Sequence, residues 1–143
     1  ALFNEYKRQG IIGKEYLAIV EGLTEEKGTV NAPIDRYPEV MKRFISETGK
    51  PAVTHYETIE HYPGKNVSLI KLQLETGRTH QIRLHMSYIG HPLIGDKLYN
   101  PHPGSFHRQA LQVNRIFYTD PKTGTCMNFS LPMDKDMAEY LSM

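Results

Sequence analysis

Residues 75–99 read ETGRTHQIRLHMSYIGHPLIGDKLY and concentrate Arg78, His80, Arg83, His85, His91, Asp96 and Lys97. Metal binding would use the histidines with Asp96. His80 and His85, however, stand five positions apart, about 140° round an α-helix, and cannot share a ligand face. No H-E-x-x-H and no cysteine pair occurs, so the stretch does not read as a metal site. Serine nucleophile chemistry would need a G-x-S-x-G elbow, and the chain has none. What remains is the chemistry of cations, and Arg83 is the residue whose placement matters most.

The spacing predicts a tight turn at 75–78 built on Gly77, then a helix of about ten residues with Thr79 as its N-cap. Gly90 and His91-Pro92 close it, since glycine tolerates a left-handed cap and proline cannot continue the ladder. On a wheel of about 100° per residue, Ile82, Met86 and Ile89 share one face, and Leu84 and Tyr88 form a second apolar stripe. Arg83 falls beside the first stripe. A semi-buried guanidinium there needs a carboxylate or a phosphate, because an unpaired buried charge is costly. The alternative is an arginine that snorkels to solvent. Asp96 reads as a loop carboxylate bonding nearby backbone amides.

The elements that must position this stretch are mostly strands. Residues 14–21 are apolar on both faces and read as a central strand. Residues 53–62 and 66–75 read as an antiparallel hairpin, the second with Ile70, Leu72 and Leu74 on one side. Residues 109–118 and 125–131 form another, turned by Asp120-Pro121-Lys122-Thr123-Gly124. Residues 1–9 read as the end of a helix, and Asp134 as the cap of a last helix carrying Met137, Tyr140 and Leu141. Residues 22–52, rich in glycine and proline, read as short extended pieces and loops. Arg36-Tyr37 and Arg43-Phe44 in that segment suit either RNA backbone or, preferably, a solvated loop face. Residues 97–108 read as a polar loop with no clear core contribution. The sum is an α+β chain with a mixed, mostly antiparallel sheet and few helices.

At 143 residues this is one domain or part of one, able to bury a small core. No run of about 18 apolar residues suggests a membrane span. The single Cys126 fits a reducing cytoplasm and reads as a half-buried strand residue. A net charge of +1 is weak for a nucleic-acid binder, so any such surface must be local or completed by other segments.

G-R-T-H-Q-I-R-L-H followed by Y-I-G-H-P-L-I-G-D-K-L-Y closely resembles the third motif of the RluA-type pseudouridine synthases, RNA enzymes that convert uridine to its C-glycoside isomer. Lys14-Glu15-Tyr16-Leu17-Ala18 with Val20 and Gly22 resembles the K-x-Y-x-A-x-V-x-G segment of that family. Residues 108–117, the 120–124 turn and Leu131-Pro132 resemble its C-terminal hairpin. The resemblance implies a sheet around one RNA-binding cleft. It also implies isomerisation of uridine in ribosomal or transfer RNA, with no metal and no organic cofactor. By matched position, Arg83 is implied to ion-pair a nucleophilic aspartate, Tyr16 to stack on uracil and assist proton transfer, and Ile116 to pack under the base. Arg78, Thr79, His80 and Gln81 become donors for phosphates or base edges around an extruded nucleotide.

Two departures qualify the match. Leu111-Gln112-Val113 stands where the family has L-H-A, and the H-R-L-D-x-x-T-S-G motif that carries the nucleophile does not occur. None of Asp35, Asp96, Asp120, Asp134 and Asp136 has that context, so the motif is expected upstream of Ala1. The chain then reads as the C-terminal portion of a catalytic domain. The rival is a non-catalytic RNA-binding module that kept the cleft, and the sequence upstream of Ala1 would separate the two.

Overall fold

Alternation along the strand at 12–21 dictates two opposed cores. Ala18 and Val20 point to one side of it and Leu17 and Ile19 to the other, and all four are buried. The computed structural model describes residues 12–40 and 42–143, and the helix expected over 1–9 lies outside them. In chain order the elements are β1 (Ile12–Glu21), β2 (Lys27–Asn31), β3 (Ile34–Arg36), β4 (Arg43–Ile45), β5 (Val53–Tyr62), β6 (Val67–Leu74), α1 (Gln81–Tyr88), β7 (Leu111–Thr119), β8 (Cys126–Ser130) and α2 (Lys135–Ser142).

Six strands form one sheet in the order β2-β5-β6-β1-β7-β8, and each of these pairings is antiparallel. β1 is central, as its two apolar faces require. Helix α1 covers one face, where Ile82 and Met86 pack on Ala18, Val20, Ile70 and Leu72. Helix α2 covers the other, where Met137 joins Leu17, Ile19, Val67 and Leu69. Each such aliphatic side chain contributes about 1.5–3 kcal/mol by leaving water. Strands β3 and β4 form a separate hairpin, whose Ile34 packs with Leu84 of α1, Ala52 and Tyr99.

Several local expectations need correcting. α1 is eight residues long, and its N-cap is His80 in the left-handed conformation (φ 58°), not Thr79. The reason is a competitor: the Gln81 side chain takes the Arg78 N–H and the Thr76 hydroxyl, and so shapes the turn itself. Tyr88 is exposed although Leu84 is buried. Asp134 is the N-cap residue of α2 but makes no capping bond, because its carboxylate accepts from Arg108. The 97–108 loop does reach the core, through buried Tyr99 and Asn100 and through Phe106. Cys126 is exposed, on a strand with an exposed face throughout.

Candidate active site

Helix α1 presents Arg83 to a carboxylate thirteen positions further on. Nε donates to Oδ2 of Asp96 at 2.8 Å and Nη2 to Oδ1 at 2.9 Å, a two-bond fork. Asp96 is 1% exposed and Arg83 16%. Oδ1 of Asp96 also accepts the backbone N–H of Leu98 and of Tyr99, at 3.0 and 3.1 Å. Burial pushes this carboxyl up, but the Arg83 fork and the two amides outweigh it, and the net shift is downward. The hydrogen bonds to Asp96 in turn raise Arg83. The pair is therefore charged at neutral pH, and among the described residues Asp96 is the carboxylate that Arg83 meets.

Gly95 makes this approach possible. Its φ is +76°, and a Cβ there would stand 1.8 Å from the Arg108 carbonyl oxygen, so only glycine fits.

Tyr99 joins Arg83 to the β3–β4 hairpin. Its hydroxyl accepts the Arg43 N–H at 2.8 Å and contacts Nδ1 of His80 at 2.8 Å. The Arg83 guanidinium carbon lies 5.3 Å from its ring centroid, within cation–π range. Burial, then Arg83 and Arg43, lower the His80 pKa, so the imidazole is neutral at pH 7 and takes the Tyr99 hydroxyl proton as a hydrogen bond.

A second network fixes the helix to the sheet. His85 is wholly buried. Its Nε2–H donates to the Ala32 carbonyl at 2.9 Å, and its Nδ1 accepts from Thr54 Oγ1 at 2.8 Å. Thr54 Oγ1 in turn accepts from Gln81 Nε2 at 3.0 Å. The chain Gln81–Thr54–His85 leaves α1 no freedom to rotate, and so sets where Arg83 points.

Tyr16 and Ile116 lie on the sheet face that α1 covers. Tyr16 is half-buried and packs on the same cluster as Ile82 and Met86, and burial raises its phenol pKa. Ile116 sits opposite Lys14, and Val113 opposite Tyr16. The register shift at Glu15/Tyr16 inserts one extra residue, Asn114, into β7, and Asn114 donates to the buried Glu15 carboxylate. Without that bulge Ile116 and Val113 would fall on opposite faces, because side chains alternate along a strand.

The residues expected to meet RNA divide. Thr79 is exposed, and Arg78 is half-buried with Nε on the Pro51 carbonyl. His80 is engaged by Tyr99 on one nitrogen. Gln81 is a correction: it is 2% exposed, and its amide is spent on Thr76, Arg78, Val53 and Thr54, so it shapes the turn and has nothing left for a ligand. Sequence reasoning gave no role to Tyr99 or His85. Tyr99 ends the quoted motif, and an aromatic there next to Asp96 was the available signal.

The RNA pseudouridylate synthase family model matches residues 1–88 of the 143. The uncharacterized RNA pseudouridine synthase YjbO of Bacillus subtilis is 38% identical over 143 residues, spanning 99% of this chain and 50% of that protein. Ribosomal large subunit pseudouridine synthase D of Haemophilus influenzae is 38% identical over 148 residues, spanning 92% and 44%. The chain thus spans about half the length, or less, of the curated relatives it matches. The solved structure of human RNA pseudouridylate synthase domain containing 1 superposes with a TM-score of 0.74 at 26% identity, covering 96% of this chain and 69% of that one. Human RNA pseudouridylate synthase domain containing 4, at 20% identity and a TM-score of 0.78, shares the fold. By the family match over residues 1–88 and by its fold, the chain belongs to the RNA pseudouridylate synthase family.

Proposed function

We propose that this chain is the C-terminal portion of a pseudouridine synthase catalytic domain that isomerises uridine in ribosomal or transfer RNA. The observation that supports it most is the Arg83 fork. Asp96 and two loop amides hold one edge of the guanidinium, formed by Nε and Nη2. A guanidinium carries five N–H donors, so the Nη1 side remains for a second anion. That anion is the nucleophilic aspartate, supplied by a segment preceding β1. Arg83 keeps it ionised and aimed. This refines the expectation of a simple ion pair, since Arg83 bridges two carboxylates, one structural and one reactive.

The reaction breaks N1–C1′, turns the base and forms C5–C1′, with the C5 proton lost to solvent and N1 taking up a proton in exchange. Ile116 and Tyr16, on one sheet face, flank the uracil: Ile116 packs on it and Tyr16 stacks on it. Burial raises the Tyr16 phenol pKa, so the group stays protonated at neutral pH and serves as a hydrogen-bond donor during proton transfer. Arg78, Thr79 and His80 hold the extruded nucleotide. No metal or organic cofactor takes part. Among the described residues no helix is long and apolar enough to cross a membrane, and the lone Cys126 suits the reducing cytoplasm.

The test is tritium release from C5 of [5-³H]uridine-labelled ribosomal or transfer RNA by the full-length protein. Release by the wild type, lost on substitution of the aspartate upstream of β1, is expected. Tight RNA binding with no release above a no-protein control would favour the non-catalytic binding module.

A further inference from the structure

Arg36 and Arg43 stand directly opposite each other in the β3–β4 register. Their side chains therefore leave the same face of the hairpin, with Cβ atoms about 4.5–5.5 Å apart, and two like charges so placed repel. An anion beside them eases that repulsion. Around this pair lies an open groove of about 640 Å³, lined also by Lys50, Arg78, Thr79 and Asp35. Four cations face one carboxylate, and that carboxylate already accepts the Arg36 backbone N–H at 2.8 Å. In a chain whose net charge is +1, this is a concentrated positive field.

The groove is built rather than incidental. Arg78 is anchored by its Nε to the Pro51 carbonyl, which fixes its guanidinium at the wall. The hairpin is held to the site by the Arg43 N–H on the Tyr99 hydroxyl, whose other contact is His80. The groove also borders the site: Thr79 in its wall precedes His80, and the Tyr99 hydroxyl joins His80 to the Arg43 backbone. An anionic chain lying in the groove would thus pass beside His80.

We propose that this groove holds backbone phosphates of the RNA strand flanking the nucleotide that enters the Arg83 site, through Arg36, Arg43, Lys50 and Arg78. The proposal rests on reading the chain as part of an RNA-modifying enzyme, and it assigns Arg36 and Arg43 of the hairpin, with Lys50 bridged to Ile34, to the substrate. Its chemistry is that of a sugar–phosphate backbone: several charges at regular spacing, met by point charges and forks without base readout.

The experiment measures affinity of the full-length protein for a fluorescein-labelled RNA stem-loop at a series of KCl concentrations. Each phosphate contact contributes about 0.7–0.9 to the slope of log K against log[salt]. The Arg36→Gln/Arg43→Gln/Lys50→Gln variant is expected to lose about 2–3 from that slope and to bind about tenfold or more weaker near 0.15 M salt. Arg36→Lys/Arg43→Lys is expected to keep the wild-type slope. Should the triple variant fold poorly by circular dichroism, Lys50→Gln alone must still lower the slope by a little under one unit. A wild-type slope in the triple or the single variant overturns the groove, and so does equal displacement of RNA by polyglutamate. Tritium release by the wild type is scored separately. A lowered slope without release would uphold the groove and sink the enzyme reading, whereas release with an unchanged slope would do the reverse.

Discussion

Two guanidinium–carboxylate clamps sit on opposite faces of the same sheet. On the α1 face Arg83 grips Asp96, and on the α2 face Arg108 grips Asp136 and Asp134. Both use a fork at 2.8–2.9 Å, both arginines are raised and Asp96 and Asp136 are both lowered. They differ in saturation and burial. Arg108 also donates from Nη1 to the carbonyls of Gln109 and Leu111 and from Nη2 to Asp134, so each of its three nitrogens is spent. It is a staple between α2 and the start of β7. Arg83 uses one edge on a carboxylate that is 1% exposed, against 26% for Asp136. A saturated arginine holds structure together. An arginine fixed on one edge, in a drier place, keeps a directed charge for something else.

Gly95 touches both clamps, since it precedes Asp96 and its α-carbon faces the Arg108 carbonyl. Gly95→Ala is expected to have the largest effect. It forces a side chain into φ +76° and into backbone 1.8 Å away, and two such mechanisms together cost roughly 4 kcal/mol or more. Urea unfolding should show a collapsed midpoint or an insoluble protein. A midpoint like that of the wild type would mean the loop simply shifts, and that the clamps are not joined through this contact.

Asp96→Ala should follow, at about 3 kcal/mol or more, because it strands a largely buried guanidinium. Asp136→Ala should cost about 1 kcal/mol, since Asp134 stays as a partner and the pair is partly solvated. The contrast is read from two urea curves. Equal losses would erase the distinction drawn from burial.

Turnover sharpens the comparison from the other side. Arg83→Lys keeps the charge and loses the planar fork. Tritium release should fall roughly a hundredfold, in keeping with loss of one preorganised electrostatic group, while RNA affinity moves little. Arg108→Lys should leave release near the wild-type rate and lower stability instead. If both substitutions act on turnover alike, Arg83 is only another staple.

These arguments also mark what the sequence could and could not yield. The α1 stretch was legible because its residues are local: the apolar stripe of Ile82, Met86 and Ile89, the stop at Gly90, and the tie of Asp96 to the amides of Leu98 and Tyr99 all fall within a few positions. The strands were legible from alternation, β5 to the residue. What was illegible depends on chain return. Arg83 finds Asp96 only because Gly95 turns the loop back past Arg108. His85 finds Thr54 and Ala32 at separations of 31 and 53 positions, and no helical wheel encodes that. The 97–108 loop looked too polar to be core, yet Tyr99 buries its ring by giving its hydroxyl two partners. The extra residue in β7 has no composition signal, although it decides which face Ile116 takes.

The smallest expected effect concerns pH, and it separates the two faces by titration. His80 and His85 both lie on the α1 side, and burial lowers both from the ordinary 6.5. Between that value and the lowered one, the unfolded chain binds more protons than the folded chain, so stability is full above about 6.5 and falls as pH drops through the window. Asp96 and Asp136 are shifted down from 3.8, so both clamps stay charged throughout that window and their stability is lost only in stronger acid. Mild acid should therefore loosen α1 before α2. Protonating His85 puts a charge into a site closed to bulk solvent, and a hydrogen on Nδ1 opposes the Thr54 hydroxyl hydrogen. Amide-exchange protection factors measured by NMR at about pH 7.5 and about pH 5.5 should fall for 82–88 and hold for 137–142. His85→Gln should weaken α1 at both pH values and flatten its pH dependence, whereas His80→Asn, which tolerates the left-handed cap, should flatten it only in part. Protection lost equally in both helices, or a pH slope untouched by His85→Gln, would show that the buried histidine is not what couples this face to pH.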